Sequence, residues 1–139
     1  MEWKEALPLL LESHTGVAVS ITPKGRAQAT VVSTAVLDGK VGFASRGYTV
    51  KVKNIQRTGR ATVTVIKLDT RRYVTIEGPA FIEPWQDTAA HIKRLKDLYV
   101  AMDRAPKTDE EFAQRMRDEQ RNLVLVTPER LYGSLRSGA

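Results

Sequence analysis

Two aliphatic hydroxyls and two ammonium groups crowd into the stretch Ser45-Arg46-Gly47-Tyr48-Thr49-Val50-Lys51-Val52-Lys53. Phe43-Ala44-Ser45 reads as the end of a strand, Gly47 as part of a turn, and the residues after Thr49 as a short basic helix closed by Thr58-Gly59. The first turn of a helix leaves backbone N–H groups unpaired and carries the positive end of the helix dipole, so an anion is favoured there. Ser45 and Thr49 add hydroxyl donors, and Arg46, Lys51 and Lys53 add charge-assisted ones of the kind that hold phosphate. The Gly-rich run and Gly-Lys-Ser/Thr ending of a P-loop are missing. The stretch reads as an anion cradle of another design. A blander use stays open: Lys51, Lys53, Arg57 and Arg60 equally suit the solvated face of a helix, and Ser45 and Thr49 equally suit helix capping.

Other chemistry finds little footing. The chain has no cysteine, which removes disulfides and thiolate metal sites. His14 and His91 each stand without a carboxylate or second histidine at ligand spacing, so no metal is expected. No Ser-His-Asp set or carboxylate pair can be placed, and no catalytic side chain is expected. Trp3, Trp85 and Tyr99 read as packing or dimer contacts. The net charge of +6 favours an acidic partner, either a nucleic acid or a multiply charged small molecule. Aromatics make up only 6% of the residues, too few to interleave a nucleic-acid surface.

The elements that must carry the cradle follow from periodicity. A chain of 139 residues with 42% hydrophobic content fits a single domain, residues 1–139, with a proper core. The absence of a long apolar run or an opening signal sequence predicts a soluble, cytoplasmic protein without membrane contact. The first dozen residues form a helix interrupted by Pro8. Val17 to Ile21 is a buried strand, Gln28 to Leu37 a longer one, and Val41 to Ser45 the return after an Asp38-Gly39 type I′ hairpin turn. Ala61 to Lys67 and a long strand from Tyr73 follow, the latter bent at Gly78-Pro79. Ile92, Leu95, Tyr99 and Met102 then recur at helical spacing, with Asp87 as N-cap. A capping box opens another helix at Thr108-Asp109-Glu110-Glu111, and Asn122 to Thr127 closes the set. Six strands joined by short turns predict a mainly β chain with helices (α+β), built as a small antiparallel barrel with a helical excursion before its last strand.

In their order and spacing these features resemble the pyridoxamine 5′-phosphate oxidase-like split β-barrels. The carriers are the meander, the pattern Lys51-Val52-Lys53-Asn54-Ile55, Tyr73-Val74-Thr75-Ile76-Glu77-Gly78, and the closing run from Arg121 to Gly133. Gly25-Arg26-Ala27-Gln28 is similar to the branch that uses the deazaflavin coenzyme F-420. The resemblance implies a homodimer with cofactor at its interface. It also implies cofactor contacts from Gln28, Thr30, Val31 and Val32 along the ring, and from Ser45, Arg46, Thr49, Lys51, Lys53 and Asn54 toward the phosphate. In the FMN oxidases an arginine of the second strand reaches the phosphate, and Thr30 stands at the matching place here. That change favours F-420, whose polyglutamate tail suits a basic surface around Arg46, Lys51, Lys53 and Arg57. The implied activity is hydride transfer between F-420 and a flat, conjugated small molecule, with the chemistry residing in the cofactor. An FMN-binding reductase or pyridoxamine phosphate oxidase-like protein is the alternative, and a nucleic-acid-binding barrel a more distant one.

Overall fold

Asp38 and Gly39 both take left-handed backbone, φ 56° and 69°, as a type I′ turn requires. The hairpin they close, β3 (Ala35–Leu37) with β4 (Lys40–Arg46), is one end of an eight-stranded antiparallel sheet in the computed structural model, which describes residues 1–136. The remaining strands are β1 (Thr15–Ile21), β2 (Ala27–Ser33), β5 (Arg60–Lys67), β6 (Arg72–Glu83), β7 (Arg121–Val126) and β8 (Arg130–Ser134). Their order is β2-β1-β5-β6-β7-β4-β3, with β8 added on β6. Four helices accompany them: α1 (Trp3–Glu12), α2 (Val50–Thr58), α3 (Ala89–Ala101) and α4 (Asp109–Glu119).

The expected class holds, and the strand count rises from six to eight for two local reasons. The strand expected from Gln28 to Leu37 breaks at Thr34, whose N–H donates to the His14 carbonyl at 2.9 Å while its own carbonyl meets His14 Nδ1 at 3.0 Å. His14 therefore clamps a corner at which the chain leaves β2, at one end of the strand order, for β3 at the other. The second addition is β8, which lies beside Tyr73 to Glu77 of β6. Near α3 the N-cap is Thr88, not Asp87. The Thr88 hydroxyl accepts from His91 N–H at 3.2 Å, and Asp87 instead takes Arg117 at 3.1 Å.

β6 joins the two halves. Up to Pro79 it pairs with β5, and from Ala80 it pairs with β7, so the handover falls at the predicted bend. Gly78 is obligatory there: a Cβ would sit 2.0 Å from the Thr127 carbonyl oxygen, a backbone atom that cannot swing aside. Gly78→Ala is expected to cost about 3 kcal/mol of stability, the upper end for overpacking, seen as a lower urea midpoint.

Inward side chains Val63, Val65, Val74, Ile76, Val124 and Val126 meet Phe43 and the buried face of α1 in one apolar core. A second cluster packs α3 and α4 against β3 and β7 through Leu95, Leu98, Phe112, Met116 and Leu123. Burial at about 25 cal/mol per Å² of apolar surface fixes both helical layers. What the fold leaves open is the seam between β2 and β4, which approach one another without pairing.

Candidate functional site

The seam is a cleft of about 390 Å³. Val31, Val32 and Ser33 of β2 form one wall, and Ala44, Ser45 and Arg46 of β4 the other. Thr49 and Lys51 close one end from α2, while Tyr99, Met102, Arg104 and Arg115 reach in from the α3–α4 excursion and Arg121 from β7. Five of these side chains are basic, and no carboxylate lines the cleft. As an edge strand, β2 also presents unpaired backbone N–H and C=O groups on this side.

Thr49 is the N-cap of α2, its hydroxyl accepting from Val52 N–H at 3.4 Å, and Ser45 Oγ lies 3.4 Å from that hydroxyl. Gly59, with φ 68°, ends the helix in the left-handed cap that the Thr58-Gly59 pair predicts. The capping reading of Thr49 is thus correct, and the capped helix start still opens into the cleft.

Lys51 is the unusual group. It is only 8% exposed, it forms no ion pair or hydrogen bond with another described residue, and its Nζ stands 5.5 Å from the Phe43 ring centroid. Burial pushes its ammonium below the usual lysine range, and the charge of Arg121 pushes the same way. A buried cation normally has an anionic partner, because desolvation costs several kcal/mol. Here the partner position is the cleft itself.

The arginines are held by one acid behind the wall. Glu119 meets Arg115 at 3.0 Å, Arg121 at 3.1 Å and Arg46 at 3.5 Å. Burial pushes the Glu119 carboxyl up, but hydrogen bonds from Arg121 and Arg115 outweigh it and hold it below the usual carboxylate range. Arg104 donates to Ser33 Oγ at 3.0 Å, leaving the rest of its fork free.

Val31, Val32, Ser45, Arg46, Thr49 and Lys51, all expected from the sequence, therefore meet in one cleft. Gln28, Thr30, Lys53 and Asn54 do not line it. Asn54 donates to Ser20 Oγ at 3.1 Å, Ser20 Oγ donates to Gln28 at 3.3 Å, and Arg57 donates to Asn54 at 3.1 Å. This chain ties α2 to β1 and β2, so Gln28 and Asn54 set the helix in place. Lys53 projects to solvent, and Thr30 is half-buried on β2 opposite Ala18. The positive surface accordingly draws on Arg104, Arg115 and Arg121 rather than on Lys53 and Arg57. Those three arginines escaped the sequence reading because Arg104 lies in the α3–α4 connection, Arg115 on the net acidic α4 and Arg121 at the start of β7, all far from the cradle in sequence.

Asn122 organises the cradle from below. Its amide donates to the Gly47 carbonyl at 2.7 Å and the Ser45 carbonyl at 3.1 Å, and its oxygen accepts from Trp85 N–H at 3.0 Å. Asn122→Ala strands these buried groups and is expected to cost about 2–3 kcal/mol of stability, measured by urea unfolding. His91, buried and bonded through Nε2 to the Arg121 carbonyl at 2.9 Å, is structural. Among the described residues no cluster of His, Asp and Glu could hold a metal ion. Among the described residues, too, no helix is long and apolar enough to cross a membrane.

A larger groove of about 540 Å³ runs between α3 and α4, but its charges are already paired, Lys96 with Asp109 and Arg117 with Asp87. Net positive charge singles out the β2–β4 cleft: the single acid Glu119 serves three of its arginines, and Lys51 and Arg104 form no ion pair with another described residue.

Residues 3–134 match the family model described as pyridoxamine 5′-phosphate oxidase. No curated protein is matched by the sequence. Among solved structures, a conserved hypothetical protein from Mycobacterium tuberculosis is similar at TM-score 0.74 and 25% identity, over 96% of this chain and 84% of that one. A structure named F-420 reductase is similar at TM-score 0.64 and 23% identity, over 88% and 93%. A pyridoxamine 5′-phosphate oxidase-related, FMN-binding protein from Nostoc punctiforme gives 0.68 and 15%, over 94% and 82%. The last two likenesses are ones of fold.

Proposed function

Because the chain belongs to the pyridoxamine 5′-phosphate oxidase family, a cofactor-binding split barrel is the premise, and we propose that it is an F-420-dependent oxidoreductase. The observation that carries this reading is the surplus of positive charge: five basic side chains line the cleft with no carboxylate among them. A single phosphate is satisfied by Lys51, Thr49 and the start of α2. Arg46, Arg104, Arg115 and Arg121 then remain, and they suit a ligand that trails further carboxylates, as a polyglutamate tail does.

In this reading Lys51 and Thr49 grip the phosphate, and the unpaired edge of β2 at Val31 and Val32 lies along the ring and offers hydrogen bonds to its polar rim. The bound deazaflavin supplies hydride chemistry, and the protein supplies orientation and electrostatics. A flat, conjugated molecule is the substrate class that such a ring face admits. A homodimer completes the site, since the cleft is open on the side where Val31 is 74% exposed.

The test is equilibrium titration of cofactor-free protein with F-420 and with FMN. F-420 is expected to bind at least about tenfold tighter, with an affinity that falls steeply with salt as charge screening grows. FMN is the second reading, favoured by the sufficiency of Lys51 and Thr49 for one phosphate. Stoichiometric yellow FMN in protein from a host that makes no F-420 would establish it. A nucleic acid is disfavoured because the net positive charge sits inside one cleft, not along an open aromatic face.

A further inference from the structure

We propose that Lys51 is a site of acylation by acyl phosphates, a modification that switches the cleft off as an anion site. The inference rests on the cleft being a phosphate site, though not on which cofactor it takes. Three observations on the same side chain carry it. Lys51 is held in place by burial on 92% of its surface equivalent yet faces the cleft, with no carboxylate bound to it. Its neighbours there are Arg46, Arg121, Thr49 and the first amides of α2, all donors suited to a phosphate group. Burial and Arg121 both favour its neutral amine, which is the nucleophilic form.

An acyl phosphate drawn into the cleft by its anionic end places its carbonyl carbon beside that amine. The amine lone pair forms the N–C amide bond, the bond from the acyl carbon to the bridging phosphate oxygen breaks with its electron pair going to oxygen, and the amine gives up a proton to solvent. Inorganic phosphate leaves, held momentarily by the donors that attracted the reagent. No oxidant or further co-reactant enters the balance. The product is a neutral amide where the cleft had its deepest cation, so phosphate loses its charged partner at that point. Lys53, two residues on, is exposed and outside the cleft, and Lys24 is exposed in the β1–β2 turn. Neither has donors arranged to collect the reagent.

The experiment is incubation of the cofactor-free protein with acetyl phosphate, followed by peptide mass spectrometry over time. Lys51 is expected to be acetylated at least about tenfold faster than Lys53 or Lys24, the scale on which a charged cleft concentrates an anionic reagent. Inorganic pyrophosphate should protect Lys51 and leave the other two unchanged. A neutral reagent, the N-hydroxysuccinimide ester of acetic acid, should lose the preference, because it has no anionic end to be collected. Equal rates at all three lysines with acetyl phosphate, or no protection by pyrophosphate, would overturn the proposal. The outcome is separable from the cofactor assignment. Selective acetylation in protein that binds neither F-420 nor FMN would sink the cofactor reading alone, and tight F-420 binding without selective acetylation would sink this inference alone.

Discussion

Lys51→Met is expected to weaken cofactor binding by about 1.5–3 kcal/mol, roughly 10- to 150-fold, while leaving the cofactor-free protein as stable as before or more so. The two effects have opposite signs for one reason. In the free protein the ammonium is buried and feels the charge of Arg121, and the acid behind the cleft wall, Glu119, is already shared by three arginines. Methionine removes that cost and places a thioether near the Phe43 ring, a favourable contact. With cofactor present, the same substitution deletes the charge that the phosphate needs. A pH series separates the terms further. The folded protein holds Lys51 below its ordinary range, so the unfolded chain binds that proton more tightly. The destabilisation is fully present at pH below the folded value, and it is relieved as pH rises through that value toward the ordinary lysine range. The stability difference between variant and wild type should therefore shrink as pH rises through that window. Isothermal titration gives the binding loss and urea midpoints at stepped pH give the rest. An unchanged dissociation constant would remove Lys51 from the phosphate grip, and a clear loss of stability in the free protein would show that its charge is satisfied after all.

The difference between what the sequence told and what it withheld lies in the range of the interactions concerned. Asp38-Gly39, Gly59 and the bend at Gly78-Pro79 were legible because a turn or cap depends on the backbone freedom of one or two residues. The cradle from Ser45 to Lys51 was legible for the same reason, since hydroxyls and a helix start lie within one turn of chain. Asn54 and Gln28 were not separable from the ligand-facing residues. Each is a polar side chain on the correct element, and only the position of Ser20, some distance away in sequence, turns them toward each other. Arg104, Arg115 and Arg121 could not be assigned because their approach to β2 depends on how α3 and α4 fold back across the sheet. The break at Thr34 was hidden too, because it is made by His14, twenty residues away. The polar pair Ser33-Thr34 between Val32 and Ala35 is the only local sign of it, and a β-branched threonine suits the middle of a strand as well as a break.

The wild-type protein is expected to be a dimer, and Val19→Glu is expected to leave it a monomer and to cost at least about tenfold in cofactor affinity at the same time. Val19 lies on the outer face of the barrel, opposite Ala29 on β2 and Thr62 on β5. The next rung is Val31, Val17 and Thr64, so the β2–β1–β5 part of this face is a patch of small and β-branched side chains, bounded on β6 by the Glu77–Arg130 ion pair beside Thr62. An apolar face of that kind calls for cover, and a second copy of the chain offers the same patch about a two-fold axis. Burying a glutamate there without a partner costs several kcal/mol, more than a peripheral contact can offset. The link to binding is Val31, which belongs both to this face and to the mouth of the cleft. On β6, Arg72 is engaged within the chain by Glu12 at 3.2 Å, whereas Tyr73 is exposed and is the residue expected to reach toward a partner copy. The competing arrangement is a monomer walled by its own helices, and Tyr99, Met102, Arg104 and Arg115 do form one side of the cleft. They cover the α3–α4 side only, and a flat ring needs a wall opposite. Sedimentation equilibrium at micromolar concentration distinguishes the two, with twice 15.5 kDa expected for the wild type and 15.5 kDa for the variant. A wild-type monomer that binds cofactor fully would show that the helical excursion suffices, and a monomeric variant that keeps full affinity would detach the dimer from the site.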